Sequence, residues 1–263
     1  MLTLFSILAP TVAAAALAVA PAGNTIPAIP LADAALEDAK PTGWTGSVSI
    51  GATFSSGNTN KRTANSTADA ELRREKDRWK LAAYWNYADQ EDATTGDDVL
   101  TERKLGASAQ YDYFLSKKLF AYAAASGQYD ATAGLDLRRT IGVGLGYQFK
   151  EEEDLKWALE AGLSHVDENF EDADSDAEYI AARAASDLFW QIAKDWTFAQ
   201  KVEVFPSLED KDDVYLRADQ RLRATLTASM FAQLQYVFDY DNTPSAGKER
   251  DDHLVALTVG WTF

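Results

Sequence analysis

The sequence predicts an all-β protein: a 12-stranded antiparallel transmembrane β-barrel, with short turns at one end and longer acidic loops at the other. Three observations predict it. Apolar and polar residues alternate with period two from Trp44 to the final residue. Turn signals divide that stretch into twelve segments whose connections, after the short first turn at 56–59, alternate short and long. The Trp residues gather near one set of segment ends instead of scattering as they would in a soluble core.

Composition narrows the function classes. The 263 residues carry 25 Lys plus Arg against 41 Asp plus Glu, a net charge of −16. That argues against a nucleic-acid partner, which needs a basic face to displace counterions. There is no Cys, which excludes disulfide scaffolds, Cys-based zinc sites and thiol catalysis. Only His165 and His253 are present, so no metal site and no cofactor are expected. The apolar fraction of 46% is too high for a disordered chain.

Three regions follow. Residues 1–22 read as a signal peptide, an apolar run ending in small residues, with cleavage after Ala20 or, preferably, after Ala22, because Pro21 is a poor first residue. The basic start of such a segment is missing, since the first Lys or Arg is Lys40. The competing reading, a membrane anchor helix, is weakened by Pro10 and by the shortness of the run. Residues 23–42, with Pro27, Pro30 and Pro41, read as a periplasmic N-terminal linker. Residues 43–263 read as the barrel.

Each element has its own justification. In the first, Trp44, Gly46, Val48, Ile50, Ala52 and Phe54 share one face, and Thr45, Ser47, Ser49, Gly51 and Thr53 the other. Midway, Ile141, Val143, Leu145, Tyr147 and Phe149 alternate with Gly142, Gly144, Gly146 and Gln148. In the last, Val255, Leu257, Val259, Trp261 and Phe263 oppose Ala256, Thr258, Gly260 and Thr262. Connections fall at residues 56–59, 74–77, 90–98, 116–118, 131–136, 150–154, 167–176, 193–195, 208–213, near Thr227, and at 241–249. The boundary between Arg223 and Met230 has no Gly, Pro, Asn or Asp to mark it. With both termini on the periplasmic side, the longer loops all lie on the far side.

Trp44, Trp79, Trp157, Trp190, Trp196, Trp261 and the terminal Phe263 then form an aromatic girdle at the short-turn rim, joined by Phe114, Phe120 and Phe149. Trp85, Tyr87, Tyr129, Tyr179, Phe238 and Tyr240 map toward the other rim. Alternation sends charge inward: Asp69 and Glu71, then Lys80, Lys104, Asp112, Glu160, Arg183, Asp187, Lys201 and Glu203. The segment 214–226 is the most telling, with Tyr215, Arg217, Asp219, Arg221 and Arg223 opposite Val214, Leu216, Ala218, Leu222, Ala224 and Leu226. Such charges are costly in a soluble core and tolerable in a lumen where they are paired or hydrated.

The chain resembles the family of salt-induced outer-membrane proteins of Gram-negative bacteria. The stretches carrying the resemblance are Gly43–Gly51, Ser56-Gly57-Asn58-Thr59, Arg138–Tyr147, Tyr240–Pro244, Asp251-Asp252 and the closing Phe263. It covers residues 43 to 263, and its motifs are turns, strand glycines and the last strand. The resemblance implies an outer-membrane location and osmotic regulation. It supplies no reaction and therefore no catalytic residue.

Candidate sites have a sharp and a plain reading. The basic stripe Arg183, Lys201, Arg217, Arg221 and Arg223 is either an anion path or a set of cations neutralised by Glu160, Asp187, Glu203 and Asp219. Asp172, Asp174, Asp176 and Glu178 resemble the start of a calcium loop, but Ala177 replaces the turn glycine and Arg183 stands where a bidentate Glu is needed. His165 faces outward with no serine beside it in register, and Asp251-Asp252-His253 is a faint protease-like hint. The expected function is non-enzymatic: envelope integrity or passive solute passage, with a narrow anion-selective channel as the alternative and an outer-membrane hydrolase as the third. The expected partners are outer-membrane lipid and lipopolysaccharide, small solutes, and the barrel-assembly machinery acting on Phe263.

Overall fold

A computed structural model describes residues 43–56, 60–92, 94–132, 134–171, 176–242 and 250–263. The signal peptide and linker expected in residues 1–42 lie outside them, as do Asp172 and Asp174. Twelve strands follow one another: β1 (Thr45–Ser55), β2 (Lys61–Arg73), β3 (Asp77–Glu91), β4 (Asp98–Phe114), β5 (Leu119–Asp130) and β6 (Leu135–Glu151). The second half is β7 (Leu155–Phe170), β8 (Ala177–Ala193), β9 (Trp196–Pro206), β10 (Val214–Thr225), β11 (Met230–Asp241) and β12 (Asp251–Thr262). Each pairs antiparallel with its chain neighbours, and β1 pairs with β12 to close the barrel. No helix occurs among the described residues.

The wall is built inside out relative to a soluble protein. Outward positions are large and apolar, as with Ile50 at 58%, Ile141 at 64% and Leu257 at 73% exposure. Inward positions are polar and buried, among them Gln110, Asp112, Gln128, Asp130 and Gln233. In water such an exterior would drive aggregation; against hydrocarbon it is the favoured face. Period-two alternation achieves this without any helix, because closure leaves every central strand with both ladders satisfied.

The register fixes what the sequence left open. Stepping through Cα partners from Val48 around the wall returns to β1 about 16 residues further along. For twelve strands that stagger means a tilt of roughly 45° and, for a circular section, a backbone radius of about 12 Å. The wall is not circular in its short-turn half. Lys80 Nζ on β3 lies 3.1 Å from Asp187 Oδ2 on β8. A circular section would hold those strands about 23 Å apart, whereas an extended Lys and Asp with a hydrogen bond between them span only about 13 Å. The barrel is therefore flattened, with β2–β4 drawn toward β7–β10.

Two aromatic placements differ from expectation. Phe114 and Phe120 do not join the outer girdle; both are buried inside, with ring centroids 5.3 Å apart. They keep step with inward Asp112 and Tyr122, and the Arg73 guanidinium lies over Phe114 at 3.7 Å. Gly146 makes the room, since a Cβ there would stand 2.1 Å from Phe120 Cζ. Tyr179 also turns inward, onto the cluster of Ala181, Phe205 and Tyr215.

Candidate functional site in the lumen

The inner wall carries two ionic layers. The first is centred on β7–β9. Arg183 donates from Nη1 to Glu160 at 2.8 Å and from Nη2 to Glu203 at 2.7 Å. Lys201 Nζ is 3.4 Å from Glu203, and Lys80 Nζ is 3.9 Å from Glu160 as well as 3.1 Å from Asp187. Three cations thus meet three carboxylates. Gln110 extends the layer to β4 by donating to Glu160 at 3.0 Å and to Asp112 at 2.7 Å. Asp112 in turn accepts from Arg78 Nε at 2.7 Å.

The second layer is centred on β10. Arg221 donates to Asp219 on its own strand at 2.9 Å and to Asp69 across the lumen at 3.4 Å. Arg223 reaches Gln233 Oε1 at 2.6 Å and Ser47 Oγ on β1 at 3.1 Å. Arg217 pairs with Asp239 at 3.2 Å. Tyr215 donates its hydroxyl to the same carboxylate at 2.5 Å.

All five residues of the basic stripe therefore lie on the inner wall, buried, each within reach of a carboxylate. Glu160, Glu203 and Asp219 are among the partners, whereas Asp187 pairs with Lys80, outside the stripe. Sequence reasoning missed Asp239, Arg78 and the pair Arg138–Glu168 at 2.5 Å. Parity would have found Arg78, Arg138 and Glu168, because each keeps step with an inward residue already identified on its strand; Asp239 keeps step with buried Gln233 and Gln235. In a low-dielectric interior, unpaired charges of this kind would be far more costly than paired ones.

The short-turn end of the lumen is hollow. A cavity of 480 Å³ is lined by Thr45, Gln191, Thr225, Phe231 and Phe263, with Arg223 facing it. A smaller recess of 70 Å³ lies among Arg73, Arg78, Lys80, Lys156 and Asp187.

Outside, the girdle residues Trp44, Trp79, Trp157, Trp190, Trp196, Trp261 and Phe263 are all between 37% and 63% exposed. The shear places them at nearly one height, at the short-turn rim. Trp157 donates from Nε1 to Ser186 Oγ at 3.1 Å. Toward the long-loop rim, His165 bonds Glu178 at 2.9 Å. His253 is shared between Asp251 at 3.1 Å and the Tyr236 hydroxyl at 2.9 Å. Of the acidic loop, Asp176 accepts the Phe170 N–H at 2.8 Å and Glu178 is engaged with His165. Among the described residues no group of three or more metal-ligating side chains converges.

Comparison with curated proteins gives no match. Among solved structures, the NanC porin has a TM-score of 0.45 and 9% identity, covering 84% of this chain and 98% of that chain. The translocator domain of the autotransporter NalP from Neisseria meningitidis gives 0.44 and 11%, covering 84% and 88%. The KdgM porin in complex with disordered oligogalacturonate gives 0.40 and 9%, covering 84% and 98%. At these identities the likeness is one of barrel fold alone. Residues 48–263 match the family described as "Protein of unknown function, DUF481", a description that does not mention salt induction. The match runs from within the first strand to the last residue, and the chain belongs to that family.

Proposed function

We propose that the protein is a non-enzymatic outer-membrane barrel with both termini on the periplasmic side. Its lumen is closed by its own ion pairs, and it serves envelope integrity or slow passive solute passage. One observation carries this reading: the Lys80–Asp187 bond at 3.1 Å joins strands five apart in the wall. That contact splits the lumen, and the pairs Arg183–Glu160 and Arg221–Asp69 on either side of it crowd the passages that remain. The apolar belt and the Trp girdle support the membrane setting. Outer-membrane lipid, lipopolysaccharide and the assembly machinery, engaging Phe263, are the partners that setting supplies. The salt-induced character belongs to the same proposal, and barrel abundance should rise with medium osmolarity.

The test is the ion current of the refolded barrel in a planar bilayer under a salt gradient. The native protein is expected to insert without steady steps, and Lys80→Ala with Asp187→Ala to conduct. Large steady steps from the native protein would overturn closure. A second reading, a narrow anion-selective channel, is favoured by Arg217, Arg221 and Arg223 facing inward along one strand, with Asp219 between the first two. It requires anion selectivity that disappears in their triple alanine variant. An outer-membrane hydrolase is the third reading. It would need a nucleophile beside His165 or His253, whose bonds here go to carboxylates and Tyr236.

A further inference from the structure

The outward face near the long-loop rim carries a run of arginines on one side, with Asp89 and Asp98 among them bonded to Arg62. On β2, β4 and β6 it carries Arg62, Arg103 and Arg139, all exposed. On β7, β8 and β12 it carries Asp167, Glu178 and Asp251. Combining the pairings with the shear puts the three arginines at one height. Tyr87 on β3 and Tyr129 on β5 stand between them at that same height. Below the arc the wall is apolar and exposed, with Trp85, Leu105, Ile141 and Val143.

We infer that this Arg–Tyr arc on β2–β6 binds the phosphates of a phosphorylated membrane lipid whose acyl chains lie on the apolar wall beneath. The inference rests on the membrane reading proposed above. An arginine facing outward at the edge of a hydrocarbon belt needs an anion at that depth, and its planar fork suits a phosphate. Arg103 is the pivotal member, because it has no carboxylate partner within 4 Å among the described residues. Arg62 is bonded to Asp89 at 2.8 Å and to Asp98, and Arg139 to Asp167 at 2.9 Å. Those two arginines are held in place at the flanks of the arc with half-exposed side chains. Tyr129 offers its hydroxyl to the same headgroup, and Tyr87, whose hydroxyl bonds Asp89, adds a second amphipathic ring suited to an interface. Asp167, Glu178 and Asp251 lie on the other strands, and on the arc itself Asp89 and Asp98 are taken up by Arg62, which leaves Arg103 to meet the phosphate.

The experiment uses the full mature barrel refolded in neutral detergent. It is titrated separately with diphosphoryl lipid A, phosphatidylethanolamine and inorganic phosphate, and retained molecules are counted by native mass spectrometry. Lipid A is expected to bind at least tenfold tighter than phosphatidylethanolamine. Arg103→Ala should weaken it about fivefold to tenfold, and the triple Arg62→Ala, Arg103→Ala, Arg139→Ala variant should abolish the preference. His253→Ala, on the opposite arc, should leave it unchanged. Equal lipid A binding by a folded triple variant would overturn the inference, as would competition by inorganic phosphate at the affinity of the lipid. Heat-modifiable migration on gels reports folding of each variant independently. Insertion of the native barrel into phosphatidylcholine vesicles separates the two readings: failure there sinks the membrane proposal itself, whereas insertion without lipid A preference sinks only the arc.

Discussion

Replacing Arg183 by Met removes the centre of the first ionic layer. Its guanidinium makes three hydrogen bonds, to Glu160 at 2.8 Å and to Glu203 at 2.7 and 3.1 Å, and all three side chains are nearly inaccessible. Removing one partner of a buried pair costs about 3–5 kcal/mol, because the other charge stays behind. Lys80 and Lys201 remain near the two carboxylates and recover part of that. The expected cost is therefore at the lower end, about 3 kcal/mol. The variant leaves two cations against three carboxylates; adding Glu203→Gln restores two against two and should return at least half the loss. Urea titration in phosphatidylcholine vesicles, followed by Trp fluorescence, measures both. A cost for Arg183→Met below roughly 0.5 kcal/mol, the range of ordinary surface changes, would mean that water solvates these carboxylates. The lumen would then be open and the argument for closure wrong. A double variant that is simply the sum of two losses would equally refute charge balance as the cause.

Other perturbations test other parts of the wall. Leu257→Arg, at a position 73% exposed, should cost about 2–4 kcal/mol in a bilayer, as a charge at the midplane does; a neutral effect in the same urea titration would place that face in water. Gly146→Val should cost about 1–3 kcal/mol, because its Cβ would meet the buried Phe120 ring at 2.1 Å; adding Phe120→Leu should recover most of it, and no recovery would mean the strain lies elsewhere. In the β3–β4 loop, Asp92 accepts the amides of Thr94 at 2.7 Å and Thr95 at 3.0 Å, and these bonds hold its carboxyl below the usual range. A depressed carboxyl contributes order above its pKa, and that order is lost as the pH falls through the lowered value. Amide relaxation at Thr94 and Thr95 should loosen on strong acidification and at all pH values in Asp92→Ala; identical relaxation in that variant would remove the role.

The wall was legible in the sequence because a barrel writes its two faces into alternate positions. The boundaries predicted at Arg74–Asp77 and Ala193–Asp195 fall within a residue of those observed, and even the unmarked turn near Thr227 lies between β10 and β11. The inward assignment of Arg183, Lys201, Glu203 and the β10 arginines follows from the same parity. Which residue meets which across the lumen was not legible, since that depends on shear and on the flattening of the section. Neither the Lys80–Asp187 nor the Arg221–Asp69 contact has any signature in local spacing. Phe114, Phe120 and Tyr179 were misplaced because aromatic type outweighed parity; each keeps step with inward neighbours, and the lumen has space for rings beside Gly146. The β2–β6 arc was hidden for a similar reason, because heights on different strands align only once the tilt is known.

The ladder between β1 and β12 covers only Ser47–Ile50 against Val259–Thr262, with reciprocal bonds between Gly46 and Phe263, whereas β1 and β2 share eleven pairs. Every other ladder joins strands adjacent in the chain and can grow hairpin by hairpin. This one joins the two ends of the sequence and bears the whole entropic cost of bringing them together. Ring closure is thus expected as the slow, final event of assembly. Until it happens the sheet has two free edges, and an edge is a template for pairing with another chain. The shortest ladder in the molecule therefore sets how long a newly made copy remains open to misassembly with its neighbours.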